Sequence, residues 1–274
     1  MSQRQKTVSD KEVRPSVALI DADIICYRVG FASEDVDEAL CLARVTELLH
    51  DIVYLDLKCD DYKAYITGKG NFRYDIAVTE PYKGNRKDAK RPVHYEAIRN
   101  HLQRLGAELV EGQEADDAVA IEASTNGGWI VSIDKDLDQV EGWHYNFVKK
   151  EEYYITEFEG LKNFYSQILT GDRIDNIIGL KGIGPVKAAK ILAECKTERE
   201  MYDACVKAYD GNIERVTENG ALLWLRRTPN QTWYPPCPVT LNSEDSSGES
   251  SDQTTLRSLG SAIVTTKPLR FVTA

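Results

Sequence analysis

Short apolar runs that read as strands alternate with stretches of helical period over the first 157 residues, and this alternation restricts the fold more than any other feature of the chain. Residues 16–20 (SVALI), 62–67 (YKAYIT), 108–111 and 129–133 (WIVSI) are the strand candidates. Helical spacing predicts a helix capped by Ser33, with Val36, Leu40, Leu48, Leu49 and Ile52 following. Two more are predicted over 93–105, with Ile98, Leu102 and Leu105 on one face, and over 116–124. Strands alternating with helices imply an α/β fold with a mainly parallel central sheet and flanking helices. Open sheets of that kind bind ligands at the carboxyl ends of their strands.

That edge is where the acids fall. Asp21 closes the first strand in LIDAD, Asp134 and Asp136 follow another in SIDKD, and Glu114, Asp116 and Asp117 sit in EADD after a third. Asp172 and Asp175, in GDRIDN, form a fourth group. Each group alone has an ordinary reading, since acids cap helices and favour their N-termini. Four such groups in one chain, at strand ends and loop starts, are a different matter, because crowded carboxylates repel unless cations neutralise them. Hard oxygen ligands select Mg²⁺ or Mn²⁺, and a set this large suits two ions clamping a phosphoryl displacement.

Bulk properties fit without deciding. A chain of 274 residues that is 42% hydrophobic can bury one good core and carry a small second unit. The net charge of −10 argues against nucleic acid only until its distribution is read. Residues 73–91 carry Lys83, Arg86, Lys87, Lys90 and Arg91 against a single nearby Asp88, a local positive patch on an acidic chain. The six cysteines and four histidines (His50, His94, His101, His144) show no zinc or catalytic spacing. No run of 18 uncharged apolar residues occurs, so the expectation is a soluble, cytoplasmic protein with no membrane partner.

From Phe158 the character turns helical. GLKGIGPVKAAKIL is a helix–hairpin–helix signature in which Gly182 and Gly184 make the turn and Lys187 and Lys190 face a phosphate backbone. Within DNIIGLKGIGPVKAAKILAE two helices are expected around that turn, with another over 197–209 and an apolar piece over 220–227. The expected organisation is a flexible arm (1–15), a core (16–157) with a basic arch at about 73–92, a helical subdomain (158–227), and a turn-rich, disordered tail (228–274). The tail's last residues regain apolar and basic character, which fits a short peptide docking on a replication protein.

LIDAD, the FR…YKGNR stretch, GQEADDAVA, VSIDKDLDQV and GDRIDNIIGLKGIGPVKAAKIL resemble, in order, the motifs of the 5′ nucleases. These include phage 5′-to-3′ exonucleases, flap endonucleases and the nuclease domain of bacterial DNA polymerase I. The resemblance runs from about residue 17 to 195, more weakly to Arg227, and the D-x-D motif and the chain length are closest to the phage branch. It implies a PIN-like 5′ nuclease fold and hydrolysis of DNA at duplex ends or 5′ flaps, with RNA/DNA hybrids as a further substrate. Asp21, Glu114 and Asp116 would hold one ion with Asp117 supporting; Asp134, Asp136, Asp172 and Asp175 would hold or water-link the other. Lys83 and Arg86 would lie near the scissile phosphate on the arch, Arg73 would contact or orient that region, and Tyr82 would either stack on a base or anchor the arch. The hairpin would grip duplex DNA, with K⁺ at the turn. One departure is plain: Thr67 stands where the family has an aspartate.

Overall fold

The structure is a computed structural model that describes residues 14–86 and 89–236. Val17–Asp21 (β1) runs directly into Ala22–Phe31 (α1), followed by Glu38–His50 (α2), which passes into a wider π turn, Asp51–Asp56. Asp61–Thr67 (β2), the single helical turn Arg73–Ile76 (α3), Tyr95–Arg104 (α4), Glu108–Val110 (β3), Ala115–Asn126 (α5) and Trp129–Val131 (β4) come next. Gly142–Asn146 (β5) and Glu151–Ile155 (β6) complete a sheet ordered β3-β2-β1-β4-β5-β6. Its first five strands are parallel and β6 returns antiparallel to β5.

The strand order reverses between β1 and β4, so the crevice beyond their carboxyl ends is the ligand-binding switch point of an open sheet. Register puts Ile20 beside Val131, which delivers Asp21 to that crevice from one strand and the loop carrying Asp134 from the other. β1 and β4 are apolar and almost wholly buried, and β2 is buried from Ala64 to Ile66. One cluster (Ile20, Ile25, Val45, Ile98, Leu102, Val131) packs under α1, α2 and α4, and another (Leu19, Val119, Ile130, Leu137) packs under α5.

Beyond the sheet, Glu157–Thr170 (α6) leads to a short antiparallel pair, Gly171–Asp172 (β7) with Ile177–Ile178 (β8). Pro185–Ile191 (α7), Glu198–Ala208 (α8) and Ile213–Leu223 (α9) follow. Phe164, Tyr165, Met201 and Trp233 form the core of this region, and Gly220 is required there, since a Cβ would lie 2.2 Å from the Trp233 ring.

Several expectations need correction. The helix placed after a Ser33 cap is α2 with its π turn, but its cap is Asp37, whose carboxylate accepts from the Leu40 amide at 2.8 Å, and α1, which starts straight after β1, is an additional helix. Ser33 is buried instead and accepts from Arg44. Strands β5 and β6 were absent from the sequence reading. Only one of the two helices expected in DNIIGLKGIGPVKAAKILAE forms, namely α7. Gly171, at φ 69°, ends α6, and the Asp172 carboxylate then ties down the amides of Ile174 and Asp175 in a turn. The arm before Arg14, Lys87 and residues 237–274 of the tail, with its proposed docking peptide, lie outside the described residues, whereas the start of that tail is part of the fold, since Trp233 is buried in the helical core.

Candidate active site at the carboxyl edge of the sheet

Asp21 ends β1 and caps α1, its side chain accepting from the Asp23 amide. It is buried, and burial, then Asp23, then Asp134 push its carboxyl well above the ordinary range. Asp134 caps the turn after β4 by accepting from the Asp136 amide at 3.0 Å. Burial raises Asp136 to about 7, helped by Asp134, Asp172 and Asp175. Asp172 is buried in the turn after α6. Acids from three separate segments therefore crowd one crevice, and none of Asp21, Asp134, Asp136 or Asp172 makes an ion pair among the described residues.

The other acids are already matched to cations. Glu114 caps α5 and is held below its ordinary range: burial would raise it, but Lys83 and Arg73 outweigh burial. Lys83 donates to Glu114 and lies 3.7 Å from Asp175, while Arg86 donates to Asp175 at 2.8 Å. The Lys83 amide also donates to the Asp175 carbonyl at 2.9 Å, with Lys83 in the left-handed region at φ 52°. A strained non-glycine backbone at such a place marks a position that the surroundings hold deliberately. Tyr82 is only 4% exposed, and its hydroxyl lies 2.6 Å from both Glu114 and Asp175. One hydroxyl hydrogen serves two carboxylates there, which ties the groups of GQEADD and GDRIDN together. Burial, ahead of Glu114, keeps the Tyr82 phenol protonated. Of the two roles open to Tyr82, the structure provides the anchor; the ring is too buried to stack on a base.

Arg73 and Asp117 also differ from expectation. Arg73 is 2% exposed and Asp117 fully buried, and they form a two-pronged ion pair at 2.5 and 2.9 Å. Burial would raise Asp117, but Arg73 overrides it and holds the carboxyl low. The guanidinium also donates to the carbonyls of Leu222 and Trp224, tying the C-terminal end of α9 to the start of α5. Arg73 is thus a buried strut rather than a DNA contact, and Asp117 supports the site by holding it. Asp116 is the group's unmatched acid, raised well above its ordinary range by burial and then by Glu114 and Asp117.

At Thr67 the structure shows what replaces the acid. The Thr67 hydroxyl accepts from the Ala115 amide at 2.9 Å and so caps the helix bearing Asp116. The Asp23 carboxylate turns onto the Thr67 amide at 3.1 Å and toward Arg99 at 3.4 Å. Its charge is felt by Asp21, and Glu114 is felt by it in turn. Nothing in the sequence pointed to Arg99 or to the Tyr82 bridge, because each partner lies tens of residues away.

The donor chemistry fits divalent cations: every group is a hard oxygen, and Asp21, Asp116 and Asp136 are raised by burial and by one another. The side chains are gathered rather than closed, since among the described residues no three draw together into a metal-holding group. Where cationic side chains hold Glu114 and Asp175, an ion would have to displace them. In the half with Asp21, Asp134 and Asp136 it would not.

Away from the acids, Gly182 takes φ 76° in the turn before α7, and Lys187 donates back to its carbonyl at 2.8 Å. Gly184 caps α7, and Lys187 and Lys190 are exposed on it. The turn opens onto a cavity of ≈ 570 Å³ that Arg173 and Lys181 also line. Lys90, in the basic segment before α4, pairs with Glu34. No helix among the described residues is long and apolar enough to cross a membrane.

No family model matches the chain. DNA polymerase I of Borreliella burgdorferi is 36% identical over 137 residues, 44% of this chain and 14% of that protein. DNA polymerase I of Caldicellulosiruptor bescii is 28% identical over 242 residues, 77% of this chain and 28% of its own length. The chain therefore spans less than a third of the relatives it matches. Among solved structures, the bacteriophage T5 flap endonuclease in a complex with DNA and metal ions superposes with a TM-score of 0.57 at 18% identity, covering 76% of this chain and 88% of that one. The T5 5′-exonuclease with bound zinc gives 0.58 with the same coverage. The resemblance drawn from the motifs is borne out on both counts: the chain is a sequence relative of bacterial DNA polymerase I and has the 5′ nuclease fold of the bacteriophage T5 protein.

Proposed function

We propose that the chain is a divalent-metal-dependent 5′ nuclease that hydrolyses DNA phosphodiesters from 5′ ends and flaps, acting as a 5′-to-3′ exonuclease in phage replication or recombination. One observation supports the reading: acids of the β1 and β4 ends face each other across the switch point, those of the other two groups act on them, and burial with mutual repulsion raises Asp21, Asp116 and Asp136. Carboxyls raised in this way keep their charge only with cations beside them, and otherwise take up a proton. The likeness to a T5 protein described with DNA and metal ions supports it.

Asp21, Glu114 and Asp116 would hold one Mg²⁺ or Mn²⁺, and Asp134, Asp136, Asp172 and Asp175 the other. Bound there, such ions neutralise a phosphate and lower the pKa of water, the usual chemistry of a two-metal hydrolase. The protein's own groups do the rest. Lys83 and Arg86, seated on Glu114 and Asp175, are in place to turn to the phosphate and offset charge developing on it. Tyr82 and the Arg73–Asp117 strut hold the arch base and the start of α5 in register. Lys187 and Lys190, with the glycine turn, would grip duplex phosphates without reading sequence, K⁺ joining at the turn.

Digestion of 5′-labelled duplex, 5′-flap and RNA/DNA hybrid substrates, with Mg²⁺ and with chelator, tests the reading. Metal-dependent release from the 5′ end is expected. Release of whole flaps would favour a flap endonuclease, preference for hybrids a primer-removing nuclease, and binding without cleavage in Mg²⁺ or Mn²⁺ a non-catalytic DNA-binding protein.

A further inference from the structure

Asp136 does not stand free in its loop. Gln167, on α6, donates through Nε2 to Asp136 Oδ1. Gln167 Oε1 accepts from Gln139 Nε2 at 2.6 Å, and that same nitrogen donates to the Leu223 carbonyl at 2.9 Å. The direction of this chain of hydrogen bonds is fixed by chemistry. The Leu223 carbonyl can only accept, so Gln139 must present its amide nitrogen. Gln167 must therefore meet Gln139 with its oxygen, which leaves its nitrogen for Asp136. Gln139 is itself immobilised. It is 4% exposed, its carbonyl accepts from Arg227 at 2.8 Å, and α6 passes so close that a Cβ at Gly160 would lie 2.4 Å from that carbonyl.

We infer that Gln167, backed by Gln139, is a positioning residue for the metal reading above: the relay occupies Asp136 Oδ1 and turns the other carboxylate oxygen toward a divalent ion shared with Asp134, Asp172 and Asp175. Groups that orient a ligand from behind typically change metal affinity by about 10- to 100-fold when removed. A glutamine suits this place because it accepts on one side and donates on the other; a methionine of similar size does neither. The relay also ties the C-terminal end of α9 and the chain after it, through Leu223 and Arg227, to the loop of Asp136.

The test is a cycle of Mn²⁺ binding measured on the DNA-free protein by electron paramagnetic resonance, with unfolding curves run on each variant. Gln167→Met should weaken Mn²⁺ binding by roughly 10-fold. Gln139→Met, one link further back, should weaken it less. In an Asp136→Asn background Gln167→Met should change nothing, because its effect passes through Asp136. Wild-type Mn²⁺ affinity in Gln167→Met, with Asp136→Asn weakened, would overturn the relay alone. An equal loss from Gln167→Met in both backgrounds would also overturn it. Unchanged binding in Asp136→Asn would remove the metal reading, and the relay with it.

Discussion

The two halves of the acid site are built from the same residue type and end in opposite electrostatic states. Around Glu114, Asp117 and Asp175, carboxylates are matched by Lys83, Arg73 and Arg86 from the segment between β2 and α4. Around Asp21, Asp134, Asp136 and Asp172 no cationic side chain forms an ion pair among the described residues, and Asp136 is lifted to about 7. The difference lies in what surrounds each group. One side faces the basic segment between β2 and α4; the other faces the turn after β4 and α6, which offer backbone amides and glutamines. Removing a carboxylate from the matched half strands a cation, whereas removing one from the unmatched half relieves repulsion and removes a ligand.

The largest effect expected from that contrast is on turnover. Asp134→Asn or Asp136→Asn should lower the Mg²⁺-dependent cleavage rate on the order of 1,000-fold, with DNA affinity kept or increased as negative charge near the phosphates falls. Single-turnover cleavage beside a binding titration checks it, and near-normal rates would erase the distinction between the halves. On the matched side, Arg73→Met should cost about 3–5 kcal/mol of folding stability, since it leaves Asp117 charged and fully buried. Denaturant unfolding reads this directly, and a loss below 1 kcal/mol would show that the strut is dispensable.

Lys83→Ala should slow cleavage about 100-fold while weakening DNA binding far less, because a cation acting on developing charge counts mainly in the transition state. Equal losses would reduce Lys83 to an ordinary phosphate contact. The smallest effect concerns Thr67. With the Asp23 carboxylate held on the Thr67 amide, Asp23→Asn should raise the Mg²⁺ concentration for half-maximal rate several-fold, and adding Thr67→Asp to it should reverse the change. A Mg²⁺ titration indifferent to both would mean that neither position reaches the ion.

The strands were the legible part of the fold. SVALI and WIVSI mark themselves as apolar runs, YKAYIT is buried from Ala64 to Ile66, and the acids that follow SVALI and WIVSI mark the crevice. Strands β5 and β6 escaped because GWHYN and EEYYI are polar, with β6 at the sheet edge where charge is tolerated. Helix α1 escaped because Asp21 serves at once as strand end, helix cap and crevice acid, leaving no break to read. In the site, residue types and order were legible, but pairing was not. Tyr82 was open between two roles, and Arg73 looked like a surface cation until its burial against Asp117 was seen. Gln139 and Gln167 carry no motif, and their importance comes from contacts that folding alone creates.

The most direct test of the account is calorimetric titration of the DNA-free protein with Mn²⁺, wild type beside Asp136→Asn and Glu114→Gln. The account predicts saturable binding of about two ions, with the ion assigned to Asp134, Asp136, Asp172 and Asp175 binding first, because Asp175 alone of these is held by side-chain cations. Asp136→Asn should then weaken the tighter event, and Glu114→Gln should alter only the weaker one. No saturable binding by the wild type, or a tighter event lost in Glu114→Gln and intact in Asp136→Asn, would contradict it.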